Sequence, residues 1–150
     1  MVDSGRTRRW PAYAVAALFL GYAAGKAVFA AQARLGFPGG PPVSAAEAEA
    51  YFLDPATAQW FATASGVAGA CIALATVTPW GRRVPRTLML LALAGMAFAV
   101  VGGAGIMALD GFIGLGVGWR WYHGVLGLVV GALFLEMVRS YIVVTRRVTT

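Results

Sequence analysis

Four long apolar runs, each bounded by charged residues or proline, dominate this sequence of 150 residues. A bilayer core about 30 Å thick needs about 20 apolar residues at the helical rise of 1.5 Å per residue. The runs have that length, so the sequence predicts four transmembrane helices, at about residues 11–31, 57–77, 87–109 and 121–144. Only short connections are left, and residues 1–150 are therefore expected to form one all-α domain, a transmembrane four-helix bundle.

The composition supports a membrane protein. Hydrophobic residues make up 59% of the chain and charged residues only 12%, against about 25% charged residues in typical soluble domains. The net charge of +6 would suggest nucleic-acid binding in a soluble protein. Here the arginines concentrate in the termini and connections, where they suit anionic lipid headgroups. We therefore expect the lipid bilayer to be the partner of these arginines and do not expect nucleic-acid binding.

The arginines fall unevenly on the two sides of the predicted membrane. Positively charged loops resist translocation, so the richer side is expected to be cytoplasmic. The poorer side carries Arg34 and Arg120. The richer side carries Arg6, Arg8, Arg9, Arg82, Arg83, Arg86, Arg139, Arg146 and Arg147. The sequence thus predicts a multi-pass protein of the bacterial cytoplasmic (cell) membrane with both termini in the cytoplasm.

The first 33 residues also fit a cleavable signal peptide. They combine a basic start, an apolar run and an Ala-x-Ala site at Ala31-Gln32-Ala33. Lys26, late in the run, and the need to orient three further spans favour an uncleaved first helix. Cleavage would leave the orientation of the later spans unchanged.

Local signals mark helix starts between the first two spans. Asp54-Pro55 favours a helix start, because Asp caps free N–H groups and proline lacks one. Ser44 and Glu47 have the spacing of a capping box. The sequence therefore predicts a short amphipathic helix in the first extracytoplasmic loop, at about residues 45–53, with residues 51–53 toward lipid or the bundle.

Glycines recur one helical turn apart in two spans, as Gly21-x-x-x-Gly25 and Gly127-x-x-x-Gly131. Small residues let helix backbones approach closely where lipid provides no hydrophobic driving force. We expect these four glycines to pack helices together within the bundle. Homodimerisation is the alternative.

Lys26 and Glu136 are charged residues that lie inside predicted spans. A charge at the centre of a membrane helix costs about 2.5–3.5 kcal/mol even on the insertion scale. The two residues lie at opposite edges of the membrane and are not expected to pair. Lys26 can extend outward toward Gln59, Asp110 or residues 119–123. Together with Asp110, Arg120 and His123 it forms a candidate polar site in the outer half.

Glu136 and Arg139 form a second candidate site, near the inner surface. Three residues apart on one helix, they are neighbours on its surface. An ion pair that anchors the helix is the favoured interpretation. A proton or cation site is the alternative.

The chemistry is limited because the chain has one histidine, His123, and one cysteine, Cys71. These numbers exclude an intrachain disulfide, a His-based zinc site and a two-histidine haem. Cys71 lies well inside the second span and His123 near the outer surface, so no catalytic Cys-His pair is indicated. The sequence identifies no catalytic residue, metal site or cofactor. A quinone or haem is expected only if the protein has a redox role.

Residues 21–39, GYAAGKAVFAAQARLGFPG, resemble the first helix of the DoxX-like small membrane proteins. In that family a Gly-x-x-x-Gly-Lys-type stretch leads into a loop with Gly-Phe-Pro, and four spans fit in about this length. The resemblance implies a redox association. The chain is equally similar to uncharacterised four-span membrane proteins of high-GC bacteria, and its eleven arginines to one lysine, with no asparagine, fit such a genome.

Three functions follow from these observations. The first is a non-enzymatic accessory or assembly subunit that packs against another membrane protein or a second copy. The second is a membrane redox subunit that binds a quinone or small anion through the outer-half site. The third is a small proton- or cation-coupled transporter that uses Glu136.

Overall fold

The computed structural model describes residues 9–147, which are mostly helical and contain no strand. Arg6 and Arg8, two of the arginines behind the topology prediction, lie outside the described residues. The elements are α1 (Trp10–Ala31), α2 (Ala45–Glu49), α3 (Pro55–Ala75), α4 (Arg86–Ile113) and α5 (Trp121–Arg147), with a 3-10 turn at Gly81–Arg83.

The four long helices α1, α3, α4 and α5 are each long and apolar enough to cross a membrane. This confirms the prediction of an all-α protein with four candidate transmembrane helices. The largest difference in bounds is at the end of α4, which continues four residues beyond Leu109 to Ile113. Asp110 does not end the helix, because its backbone carbonyl still accepts a helical hydrogen bond from the N–H of Gly114. The helix ends at Gly114, which is the C-cap residue in the left-handed conformation.

Side chains cap the helices that start near the first loop. The Asp54 carboxylate accepts a hydrogen bond from the backbone N–H of Thr57 at 3.0 Å, and the bonds from Thr57 hold the pKa of Asp54 below its usual range. Ser44 and Glu47 form the capping box of α2, with Ser44 bonds lowering the pKa of the Glu47 carboxyl. Helix α2 ends at Glu49, so residues 51–53 lie beyond it, in the turn toward α3.

The long helices pack as two pairs. Helix α1 packs along α3, and α4 packs along α5. Contacts between α1 and α5 join the two pairs, whereas α3 and α4 touch at only a few positions. Packed neighbours therefore follow the order α3, α1, α5 and α4, the contact between α3 and α4 is slight, and all four helices leave much of their surface uncovered.

The main buried cluster lies toward the end of the molecule where α1 begins and α5 ends, which we call the basic end. There α1 and α3 contribute mostly alanine, and α4 and α5 contribute larger side chains. The opposite end, formed by residues 32–54 and 114–120, is called the loop end. The buried cluster comprises Ala12, Val15, Ala16, Ala70, Ala73, Ala75, Met89, Leu93, Met96, Val100, Phe134 and Met137.

The four glycines that the sequence singled out differ in their surroundings. A Cβ at Gly127 would lie against the backbone oxygen of Ala104 on α4, and one at Gly25 would meet Pro38 of the first loop. A Cβ at Gly21 or Gly131 would meet nothing within 4 Å. Of these four glycines, Gly127 therefore packs against another helix, Gly25 packs on a loop, and Gly21 and Gly131 face open space.

The closest contacts between α1 and α3 depend on two glycines that the spacing argument missed. A Cβ at Gly66 would meet Tyr22 and Ala23, and a Cβ at Gly69 would meet the Phe19 ring. They are three residues apart, so the four-residue motif did not reveal them. Their absent side chains let α3 lie close to α1.

The two glycines on α5 provide a matched test of this packing. Gly127→Ala is expected to lower the free energy of unfolding by about 1–3 kcal/mol, because the new methyl group overpacks the contact with α4. Gly131→Ala is expected to leave it unchanged or raise it by up to about 1 kcal/mol, since alanine favours a helix. Denaturant unfolding of the two variants in the same detergent measures both values. Equal effects would contradict the assigned contacts.

Candidate functional site

Lys26 closes the first loop over the end of α1. Its Nζ donates a hydrogen bond to the backbone oxygen of Gly36 at 2.5 Å. The same nitrogen lies 5.5 Å from the centre of the Tyr22 ring and 5.6 Å from that of Phe37, within the range of cation–π attraction. The half-buried ammonium group thus has a carbonyl and two aromatic faces in place of water.

Gln59 on α3 binds the same carbonyl. Its Nε2 donates to the Gly36 oxygen at 3.1 Å, which can accept two bonds because a carbonyl oxygen has two lone pairs. The side chain is only 3% exposed, and its Oε1 has no partner among the described residues. One loop carbonyl therefore ties α1 to α3.

His123, in the first turn of α5, holds the same loop from the other helix pair. The backbone N–H of Arg120 donates to its Nδ1 at 3.1 Å, and its Nε2 lies 2.8 Å from the backbone oxygen of Gly39. Because Nδ1 accepts, the proton of the neutral ring must be on Nε2, which donates to Gly39. This geometry specifies one neutral tautomer and links α5 to the first loop.

Asp110, in the last turn of α4, holds the second loop. Its carboxylate accepts hydrogen bonds from the backbone N–H groups of Val117 at 3.1 Å and Trp119 at 2.6 Å. The loop curls around the carboxylate because alternate residues have positive φ, which glycine adopts without steric cost. These residues are Gly114 (73°), Gly116 (90°) and Gly118 (98°).

The Trp119 ring joins these groups into one cluster. It contacts the Phe37 ring edge-on at 5.3 Å and the His123 ring at 5.0 Å, measured between ring centres. Its backbone N–H is the one bound by Asp110. We call Lys26, Gln59, Trp119 and His123, together with the loop residues Gly36, Phe37 and Gly39 that they contact, the loop clasp.

The candidate outer-half residues all lie at the loop end, but they do not surround a common cavity. Lys26, Asp110 and His123 each bond to loop backbone, while the Arg120 side chain is exposed and its backbone N–H binds His123. The cavity of about 490 Å³ at this end is lined by other residues, between Phe29 and Pro55. The sequence names Gln59 only as a possible neighbour of Lys26 and not as a site residue, because nothing local indicates that its amide binds a loop residue 23 positions away.

The second candidate pair lies on α5. A guanidinium nitrogen of Arg139 is 3.6 Å from a carboxylate oxygen of Glu136. The Arg139 side chain is 78% exposed and that of Glu136 33% exposed. Such exposed pairs contribute little to stability in water, but in a membrane helix the arginine partly neutralises the acid.

Metal binding finds no support in residues 9–147. No group of three or more His, Cys, Asp or Glu side chains there could hold a metal ion. Cys71 is exposed on α3 and is not in a disulfide. The described contacts at the loop end include hydrogen bonds and aromatic contacts.

Replacing Lys26 by Met tests the clasp. Methionine keeps an unbranched apolar stem but cannot bind the Gly36 carbonyl, and a bond to a charged donor contributes about 1.5–3 kcal/mol. Amide hydrogen exchange in residues 35–43 is expected to rise by about tenfold or more. Arg34→Met removes a nearby exposed cation and is expected to leave exchange unchanged. Equal exchange in the two variants would contradict the role of Lys26.

Asp110 offers a graded test of the second loop. Asp110→Ala leaves two backbone N–H groups without their acceptor and is expected to lower the unfolding free energy by about 1–3 kcal/mol for each group left unpaired. Asp110→Asn keeps one acceptor oxygen and should lose about half as much. Thermal unfolding in detergent measures the stabilities of the two variants. An Asp110→Ala variant as stable as the wild type would show that the carboxylate does not hold the loop.

Comparison with known proteins does not name a family. The chain matches no protein-family model, no curated protein and no solved structure. The similarity of residues 21–39 to the DoxX-like proteins therefore stays a prediction from those residues. Function has to be argued from the geometry of the molecule.

Proposed function

We propose that the protein is a non-enzymatic accessory or assembly subunit of the bacterial cytoplasmic membrane. The observation that carries this proposal is the loop clasp. A catalytic or ligand-binding group needs free donors or acceptors that face its substrate. Lys26, Asp110 and His123 instead bond to the backbone of their own chain. Their role in this proposal is to make four helices a stable, inert scaffold.

The distribution of arginines supports a topology with both termini in the cytoplasm. The basic end carries Arg9, Arg82, Arg83 and Arg86 around one cavity. The loop end carries Arg34 and Arg120. Because the positively charged end is retained in the cytoplasm, the loop clasp then faces the extracytoplasmic side, with α2 on that surface.

The uncovered face of α4 is where we place the contact with a partner helix. Gly95 and Gly102 lie two turns apart on this face, and a Cβ on either would meet nothing within 4 Å. Phe98, between them, is 86% exposed. Small residues allow a second membrane helix to approach the backbone closely, and an aromatic side chain beside them adds contact area.

The redox and transport alternatives find less support. A quinone site would require the outer-half residues to line a cavity, yet Lys26, Asp110 and His123 line neither the cavity at the loop end nor the one at the basic end. A transport site at Glu136 would require a free carboxylate, and this one already faces Arg139. Both sets of side chains have partners within the chain.

The proposal is tested by the size of the native assembly. In mild detergent extracts of the native membrane, we expect the wild-type chain in one complex of fixed stoichiometry, measured by native electrophoresis and mass photometry. Gly102→Leu fills the uncovered face of α4 and is expected to release the single chain. Ala132→Leu, on an exposed part of α5, is the matched control and should leave the complex intact.

A wild-type extract that contains only the single chain would overturn the proposal. Loss of a membrane redox activity in Lys26→Met, at normal expression, would favour the redox subunit instead. Loss of pH-dependent uptake in Glu136→Gln would favour the transporter. The accessory role predicts that both variants leave the size of the assembly unchanged.

A further inference from the structure

A cavity of about 460 Å³ opens at the basic end, between the ends of the four long helices. Its rim carries four arginines, Arg9, Arg82, Arg83 and Arg86, and no acidic residue lines it. All four side chains are exposed, and none forms an ion pair with another described residue. Like charges around one cavity repel one another, and no acidic side chain in the described lining offsets them.

The backbone fixes this arrangement of arginines. Gly81 is buried with its Cα side against the backbone of Ala75, where a Cβ would collide with the carbonyl group. This contact packs the 3-10 turn under the end of α3 and places Arg82 and Arg83 on its surface. Pro85 then starts α4, with Arg86 as its first residue. The turn and the start of α4 therefore place three of the four arginines around the cavity.

The helix ends at this cavity add to its positive potential. Helices α1 and α4 both begin here, and neither has a side-chain cap or an acidic residue in its first turn. Two of the helices that start at the loop end, α2 and α3, are instead capped by Ser44 and Asp54. Free N–H groups carry partial positive charge and favour an anion, so they reinforce the arginines.

The walls of the cavity identify the kind of anion. Ser140 and Tyr141 provide hydroxyl groups, while Ala12, Ala75 and Met137 form apolar wall. These three belong to the buried core, so the cavity runs from a charged rim to apolar depth. An inorganic anion would match only the rim. A phospholipid has both a phosphate and an apolar part.

We propose that this cavity binds the phosphate headgroup of an anionic phospholipid, such as phosphatidylglycerol. Arginine suits this ligand, because its planar guanidinium forms paired hydrogen bonds with phosphate oxygens. Basic pockets between membrane helices are established sites for anionic headgroups. The site depends on the cavity alone; its place in the cytoplasmic leaflet rests on the topology proposed above.

The test measures stabilisation of the purified full chain in a neutral detergent at constant ionic strength. Short-chain phosphatidylglycerol is titrated against thermal unfolding, with phosphatidylcholine and inorganic phosphate as separate arms. We expect saturable stabilisation by phosphatidylglycerol and none by the other two. Equal stabilisation by phosphatidylcholine would overturn the anionic site, and saturation by inorganic phosphate alone would overturn the lipid assignment.

Two variants with the same loss of charge locate the site. R82Q/R86Q removes two cavity arginines and is expected to raise the phosphatidylglycerol concentration at half-saturation by about tenfold or more, because each arginine lost removes charge-assisted hydrogen bonds to the phosphate. R34Q/R120Q removes two arginines from the loop end and should bind as the wild type does. Equally weakened phosphatidylglycerol binding in the two variants would show that binding depends only on net charge and would overturn the proposal.

A variant that fills the cavity tests whether lipid binding needs the cavity's volume as well as its charge. Ser140→Phe leaves every arginine in place and should also weaken binding by about tenfold or more, because the aromatic ring occupies space needed by the headgroup. This variant decides the case if R82Q/R86Q fails to fold. Unchanged affinity in Ser140→Phe would show that the lipid binds outside the cavity.

Discussion

The structure depends on one constraint: a backbone polar group near the hydrocarbon region must find a partner within the protein. Helices meet it internally, but loops do not. The first loop of this chain folds back over the helix ends, and its carbonyl groups at Gly36 and Gly39 receive side-chain donors from three different helices. Lys26, Gln59 and His123 are therefore best understood through the loop they hold.

The two ends of the molecule are stabilised by different interactions. At the basic end, small alanines on α1 and α3 allow close packing against larger side chains on α4 and α5. At the loop end, hydrogen bonds and aromatic contacts join the helix pairs. In a bilayer there is no hydrophobic driving force for apolar side chains to associate. The polar clasp therefore specifies which helices pack together, which hydrophobic contact in lipid does not.

The sequence predicted the spans well because length, hydropathy and proline signals are local. Asp54-Pro55 marked the start of α3, and Trp121 the start of α5. Partners across the fold were not predictable, because they depend on the path of the loops. Nothing near Gln59 indicates that it binds the Gly36 carbonyl, and spacing does not distinguish Gly127, which packs on α4, from Gly131, which faces outward.

The loop clasp also sets the order in which the chain can reach its final form. The first loop is held by Lys26, which precedes it, but also by Gln59 and His123, which follow it in synthesis. His123 lies 84 residues after the carbonyl that it binds. The first loop therefore stays incompletely held until the start of α5 has been synthesised, and the clasp closes only after α1, α3 and α4 are already part of the chain.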